Sequence, residues 1–392
     1  MDISRAILQF DKILIDISRD GLVGMILFLC FGENLRAQNV EVRKEIHTFV
    51  AETIITTTII KVTNMRKHLF LLVALLCMVA QGALATDWVR IENGKLWYAD
   101  DGKSVQAHAP GFVRVGEKWY MCGEDRTDPW HPDVNLYSSA DLVHWHFEGK
   151  IIRNGVTDSR LGSSRMIERP KLLFNQRTGK YVVWCHWESR DYSASEAACF
   201  ECDSVNGDYK LVWSGRPMGI KSRDCNVFQD SDGTAYFIST TNENQDLGLF
   251  KLSDDFHEAV EHTRLFEGQR REAPAIVHVG SRYFMFNSAC SGWRPNQCKM
   301  AHTTNLQSGW SVLSDVGDAV AYRTQAAAIL EIKGTKQTTY LYVGDRWNEH
   351  RLSESQTIIF PVSFDGTSCD FTYHECFEIN LVTGEWRDCS PQ

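Results

Sequence analysis

Five polar residues stand at comparable places along the chain, each leading into an apolar run: His108, Glu168, Asp224, Glu272 and Gln325. Three of them are carboxylates. The phrase is clearest at Arg271-Glu272-Ala273-Pro274-Ala275, which heads Ile276-Val277-His278-Val279. A charge at the mouth of a buried strand is costly unless something uses it. Carboxylates that converge in a cleft can divide acid and base work between them.

Convergence requires elements that repeat. Each leading residue opens a strand, a turn and a second strand: 171–174 and 181–184 after Glu168, 227–228 and 235–238 after Asp224, 276–279 and 282–286 after Glu272, 328–330 and 339–343 after Gln325. A weaker copy follows His108. The leading residues are 60, 56, 48 and 53 positions apart. A period near 50 built from strand–turn–strand units predicts an all-β fold, a five-bladed β-propeller running from about residue 92 to the C-terminus. The first strand of each blade then lines the axis, and the five leading residues meet at one mouth. Residues 88–100 read as an entering strand that helps close the ring against the last blade. Trp145 reads as a packing plug behind its hairpin. Asp230-Ser231-Asp232-Gly233 resembles a fragment of a calcium loop but lacks the remaining ligands, and is read as a tight turn.

The first 85 residues differ. Met65-Arg66-Lys67-His68, an apolar run over 69–80 and Ala83-Leu84-Ala85 have the parts of a secretory signal peptide. The run is too short for a comfortable membrane span. Residues 1–64 show no pattern linked to the repeats and are expected to be a mis-called upstream extension, from a start codon placed too early, with a genuine N-terminal extension or small helical appendage as the alternative. The mature chain is expected to be 86–392, one domain, secreted or periplasmic, without membrane insertion, and a monomer. The net charge of −9 argues against nucleic acid or anionic membranes as partners and is compatible with neutral sugars. Cys199 and Cys202 have a redox-like spacing but fall in a strand-like stretch, and no cysteine has zinc-like spacing with histidine. Cys290–Cys298 and Cys369–Cys376 are the local disulfide candidates, with buried free thiols as the alternative.

Ten phrases, in order, carry a family resemblance. They include Glu168-Arg169-Pro170-Lys171, Ser222-Arg223-Asp224, Asp232-Gly233-Thr234-Ala235-Tyr236, Glu272-Ala273-Pro274-Ala275, Ser291-Gly292-Trp293-Arg294-Pro295-Asn296, Thr324-Gln325 and Gly344-Asp345-Arg346-Trp347. Together they cover almost all of 88–365. The chain resembles glycoside hydrolase family 43, the five-bladed propeller glycosidases, and most of all its exo-β-1,3-galactanase branch. The resemblance implies hydrolysis with inversion, and release of galactose from β-1,3-galactan, the arabinogalactan backbone. It implies Glu272 as general acid and Asp224 as the carboxylate that raises the acid's pKa. The usual family pattern has an aspartate base in the first blade. Here Gln106-Ala107-His108-Ala109-Pro110 occupies that place, a departure the galactanase branch shares. Gln325 is then expected to position the water and Glu168 to hold the galactose, with Glu168 as the alternative base. His108, Trp187 and Trp293 are candidate sugar contacts. No cofactor is implied; a structural calcium ion at the propeller axis, near His108, stays open. The same family offers α-L-arabinofuranosidase or β-xylosidase activity as the second reading. A catalytically silent carbohydrate-binding propeller is the third, favoured by the missing aspartate. Each site residue also has a plain structural reading, such as a pairing of Glu272 with Arg271, Asp224 with Arg223 or Glu168 with Arg169.

Overall fold

The computed structural model describes residues 88–389, apart from 129 and 131. The expected signal peptide and upstream extension lie outside the described residues. Among the described residues the chain is all-β, with three short 3-10 turns and no longer helix. None of them forms a helix long and apolar enough to cross a membrane.

The chain enters through β1 (Trp88–Glu92). Five four-stranded antiparallel sheets then follow one another along the sequence. The first is β2 (His108–Val115), β3 (Lys118–Glu124), β4 (Val134–Ser139) and β5 (His146–Ile152). The second is β6 (Met166–Asn175), β7 (Lys180–Glu188), β8 (Glu196–Cys202) and β9 (Lys210–Gly215). The third is β10 (Ser222–Gln229), β11 (Ala235–Thr241), β12 (Asp246–Leu252) and β13 (Ala259–Leu265). The fourth is β14 (Arg271–Val279), β15 (Arg282–Ala289), β16 (Cys298–Thr303) and β17 (Ser314–Val316). The fifth is β18 (Gln325–Lys333), β19 (Thr338–Arg346), β20 (Gln356–Asp365) and β21 (Ser368–Asp370). The first strand of each sheet touches the first strands of two others: β2 with β6, β6 with β10, β10 with β14, β14 with β18, and β18 with β2.

The strands form as their composition dictates. Both faces of the second and third strands are covered, so these read as continuous apolar runs, whereas the fourth strands alternate with exposed positions. The sheets meet through large side chains. Trp184, Phe237, Phe250 and Phe256 join the second sheet to the third, and the indole of Trp184 donates to the carbonyl of Phe256 at 2.7 Å. Trp145 is 1% exposed and stacks on Trp97, the packing role read from its hairpin.

Two expectations change. The fifth unit does not run to the C-terminus, and β1 packs against the fifth sheet without joining it. β1 pairs with β22 (Cys376–Asn380), and with β23 (Trp386–Asp388) they make a sixth, three-stranded sheet. Ile91, Phe377 and Ile379 of this sheet pack with Leu330 and Ile359 of the fifth sheet and with Trp119 and Met121 of the first. The fifth unit therefore ends at Asp370, and the tail returns to the entering strand. Among the described residues the disulfide is Cys376–Cys389, which ties β22 to the residue after β23, while Cys290, Cys298 and Cys369 are free. Neither local candidate pair forms. Cys199 and Cys202 are also free, as their places on β8 dictate, since residues three apart on a strand face opposite ways. Asp230 closes the turn read from its motif. Its carboxylate is already taken by His278 at 2.8 Å and Tyr283 at 2.5 Å, across to the fourth sheet.

Candidate active site

Every inner strand loses its ladder register at or just beyond its leading residue, with Asp224 lying inside its own break. The breaks fall between His108 and Gly111, Glu168 and Lys171, Ser222 and Cys225, Glu272 and Ala275, and Ala326 and Ala328. Ala109, Arg169 and Ala273 lie in left-handed backbone, with φ of 48°, 51° and 49°. A proline follows each of these three. Proline has no N–H for a ladder, and bulges are where sheets accept it. A bulge bends the strand and re-aims a side chain.

The re-aimed side chains share a cavity of about 320 Å³. Glu168, Asp224, Glu272 and Gln325 all line it, with Glu124, Arg126, Arg169, His186, Tyr192, Asn244, Trp293 and Trp347. A larger cavity of about 760 Å³ runs along the far halves of the inner strands, past Leu172, Val227, Ile276 and Ile329. None of the five leading residues lines it, so size does not locate the chemistry here.

Within the smaller cavity the carboxylates are set apart. Burial, and then the negative charge of Asp224, push the Glu272 carboxyl up to about 8. Asp224 is partly exposed and lies 3.9 Å from the Arg169 guanidinium. For Glu168 burial acts upward, but the hydrogen bond and charge of His186, the charge of Arg126 and the Tyr192 hydroxyl outweigh it and bring the carboxyl down to about 2. His186 Nδ1 is 3.0 Å from Glu168 and its Nε2 is 2.9 Å from Glu188. Burial opposes charge on this imidazole, but the two carboxylates raise it to about 9. It is thus an imidazolium clamped between them.

Gln325 is fixed at both ends. Its Nε2 donates to Glu272 Oε1 at 3.1 Å and to Ser288 Oγ at 3.3 Å. Its Oε1 accepts from Trp347 Nε1 at 2.9 Å and from Arg169 at 3.3 Å. Both lone pairs of the amide oxygen therefore face groups that can only donate.

Two sequence candidates sit elsewhere. Trp187 is fully buried, packed on Phe200 and covered by the Arg160 guanidinium at 5.3 Å, so it has no face to offer a sugar. The alternation of β7 turns it into the sheet interface. His108 is 2% exposed behind Trp347, with Nε2 on Gln106 Oε1 at 3.2 Å. Burial, then the charge of Arg126, pull it down to about 3, so it is neutral and does not line the cavity. Trp293 does line it, 42% exposed and edge-on to Trp347 at 5.2 Å.

Glu124, Arg126, His186, Tyr192 and Trp347 receive no site role from the sequence reading, although Trp347 ends one of the phrases that carry the resemblance. Glu124 closes β3 opposite His108. Its Oε1 accepts the Arg169 amide at 2.6 Å and its Oε2 meets Arg126. Burial raises it to about 7 against the pull of Arg126. A charge ending the apolar run 119–123 is the same signal used for the leading residues, at the other end of a hairpin. Tyr192 and Trp347 stand on loops joining second to third strands, where no periodicity points to them.

Glu168, His186 and Asp224 bring potential metal ligands within 4.8 Å of one another. The imidazolium supplies a positive charge of its own at that place. Where the inner strands meet, Lys171 Nζ takes the carbonyls of Ala109 at 2.9 Å, Pro110 at 2.7 Å and Ala327 at 3.1 Å. A calcium ion placed there would need carbonyl oxygens as ligands, and Lys171 already holds these three.

The sequence profile described as Glycosyl hydrolases family 43 matches residues 103–350. Among solved structures, an exo-β-1,3-galactanase from Clostridium thermocellum is 35% identical with a TM-score of 0.75, over 77% of this chain and 69% of that one. An exo-β-1,3-galactanase from Phanerochaete chrysosporium, solved with β-1,3-galactotriose, is 29% identical with a TM-score of 0.72, over 77% of this chain and 71% of that one. A curated relative, a β-xylosidase of Bacillus subtilis (strain 168), is 23% identical over 224 residues, or 53% of this chain. The match spans 40% of that relative's length.

Proposed function

Since the chain belongs to glycosyl hydrolases family 43, we propose that it is an inverting exo-glycosidase that releases galactose from β-1,3-galactan, built as a five-bladed β-propeller. The cyclic contacts of the five inner strands support the ring. The similarity to two exo-β-1,3-galactanases supports the substrate.

The observation that carries the reading is Glu272 held at about 8 by burial and by Asp224. A carboxylic acid that keeps its proton at neutral pH can deliver it to the leaving glycosidic oxygen. Asp224 keeps the proton on, and Gln325 aims the acid through its Nε2. The expected water-positioning role of Gln325 is disfavoured by its amide oxygen, which has no lone pair free to accept from water. Its contact with Glu272 also leaves no room for a sugar and a water between them, where an inverting pair stands roughly 6.5–9.5 Å apart. Glu168 then takes the water's proton. Its donors keep it ionised at any working pH, which makes it an available but weak base. Trp293 offers the sugar an aromatic face. No step needs a cofactor. The protein's export is proposed on the segment 65–85 alone.

The test is product release from β-1,3-galactan beside arabinan and xylan. Galactose from the first alone is expected, with Glu272→Gln slower by about 10²–10⁴-fold. Xylose or arabinose instead would move the chain to the pentosidase reading that the β-xylosidase relative suggests. Binding without release would mark a silent propeller.

A further inference from the structure

A small notch of about 20 Å³, room for a small polar group and not for a sugar ring, adjoins the catalytic cavity and shares Gly292, Trp293, Gln325 and Trp347 with it. Its outer wall adds Arg294 and Arg323. Both are exposed, and neither side chain has an ion pair or hydrogen bond among the described residues. The arginines across the cavity are tied down: Arg126 to Glu124, Arg223 to Glu243 at 3.2 Å. In a chain with a net charge of −9, two unpaired guanidinium groups on one wall of the mouth are not part of a generally basic surface.

The backbone that presents Arg323 is also unusual. Ala321, Tyr322 and Arg323 are all left-handed, with φ of 49°, 53° and 64°. Asp318 Oδ1 holds the run by accepting the amides of Val320 at 3.1 Å and Tyr322 at 2.6 Å, and Thr324 Oγ1 donates to the carbonyl of Ala321 at 2.7 Å. Non-glycine residues keep such conformations only where their surroundings determine them, and they cluster at ligand clamps. Only one acidic residue lines the notch. Asp345 is fully buried, accepts the Ala109 amide at 3.0 Å and lies in the field of Arg169.

We propose that the substrate site extends past the Trp293–Trp347 edge to a surface subsite for a carboxylated sugar, a uronic acid unit carried beside the linkage that is cut, whose ring stays outside the notch and whose carboxylate alone reaches the arginines at its rim. Arg294 and Arg323 receive its carboxylate. Planar guanidinium groups suit this partner, because their N–H pairs match both carboxylate oxygens. Neither arginine touches the bond that breaks, so they select substrate without contributing to cleavage. The inference rests on the galactan reading.

The experiment uses the Glu272→Gln chain and calorimetric binding of three probes. These are β-1,3-galactotriose, the same triose with one glucuronic acid branch, and the methyl ester of that branched compound. The acid should bind about tenfold more tightly than its ester. The double variant Arg294→Ala/Arg323→Ala should abolish that difference and leave the unbranched triose unchanged. Raised salt should narrow the gap as well. Equal binding of acid and ester, or an equal loss for all three probes in the double variant, overturns the subsite alone. Failure of every probe to bind would instead remove the galactan reading, and the subsite with it.

Discussion

Glu272 and Asp224 are both carboxyl groups in one cavity, and their surroundings separate them. Burial is the larger effect on Glu272, and the charge of Asp224 adds to it. The sign for activity follows. An acid at about 8 is protonated below that pH, so on the proposed mechanism kcat falls as pH rises through about 8. Asp224→Asn removes the negative neighbour and leaves the burial. The folded pKa of Glu272 then drops, and the alkaline limb of the kcat profile moves to lower pH, so the variant loses more activity at pH 8 than at pH 5. A uniform loss at every pH, with the limb unmoved, would leave Asp224 only a sugar-binding role. Ionic partners of the two groups do not blur this test. Arg169 is 3.9 Å from Asp224 and is also committed to carbonyls of Cys225 and Ala326.

The strands were legible because each apolar run ends in a turn, and the leading polar residues marked where four of them reach one cavity. The bulges were not legible as such. A residue pair such as Glu272-Ala273 before Pro274 does not state that the alanine is left-handed at φ 49° and wholly buried. Trp187 was misread for a related reason: one step of strand register decides whether an indole meets a sugar or a neighbouring sheet. The sixth sheet escaped because β1 and β22 are far apart in sequence and share no motif. The bulge predicts an ordering of variants. Ala273→Gly suits the left-handed position and should keep both stability and kcat. Ala273→Val adds a branched side chain to strained, closed backbone, and should cost about 1–3 kcal/mol while turning Glu272 out of line. Urea unfolding and kcat measured together check this. A valine variant with full activity would show that the bulge does not aim the acid.

At the scale of the molecule, polar side chains from β6 tie the sheets together where the inner strands meet. Arg169 reaches the carbonyls of Cys225 on β10 and Ala326 on β18. Lys171 reaches Ala109 and Pro110 on β2 and Ala327 on β18, and Asn226 of β10 donates to Ala327 as well. Burial, then the charge of Arg169, draw the Lys171 amine down to about 7. The three carbonyls argue for the ammonium, because only that form has three N–H groups to give. Lys171 is 1% exposed, so water cannot replace it. Lys171→Met keeps most of the volume and strips three buried carbonyls of their donor. Removing one side of a buried charged network costs about 3–5 kcal/mol, so the urea midpoint should fall steeply, with no change in the slope of the transition. Calcium added to the variant is the informative second arm. The vacated oxygens form an oxygen-lined cradle of the kind calcium takes, although three carbonyls fall short of its usual 6–8 ligands. Recovery of the midpoint with calcium would mean that the lysine substitutes for an ion where the inner strands meet. A lower midpoint indifferent to calcium would mean that the ammonium acts as a three-way hydrogen-bond donor. An unchanged midpoint would show that the inner strands are held together by their apolar sheet interfaces alone.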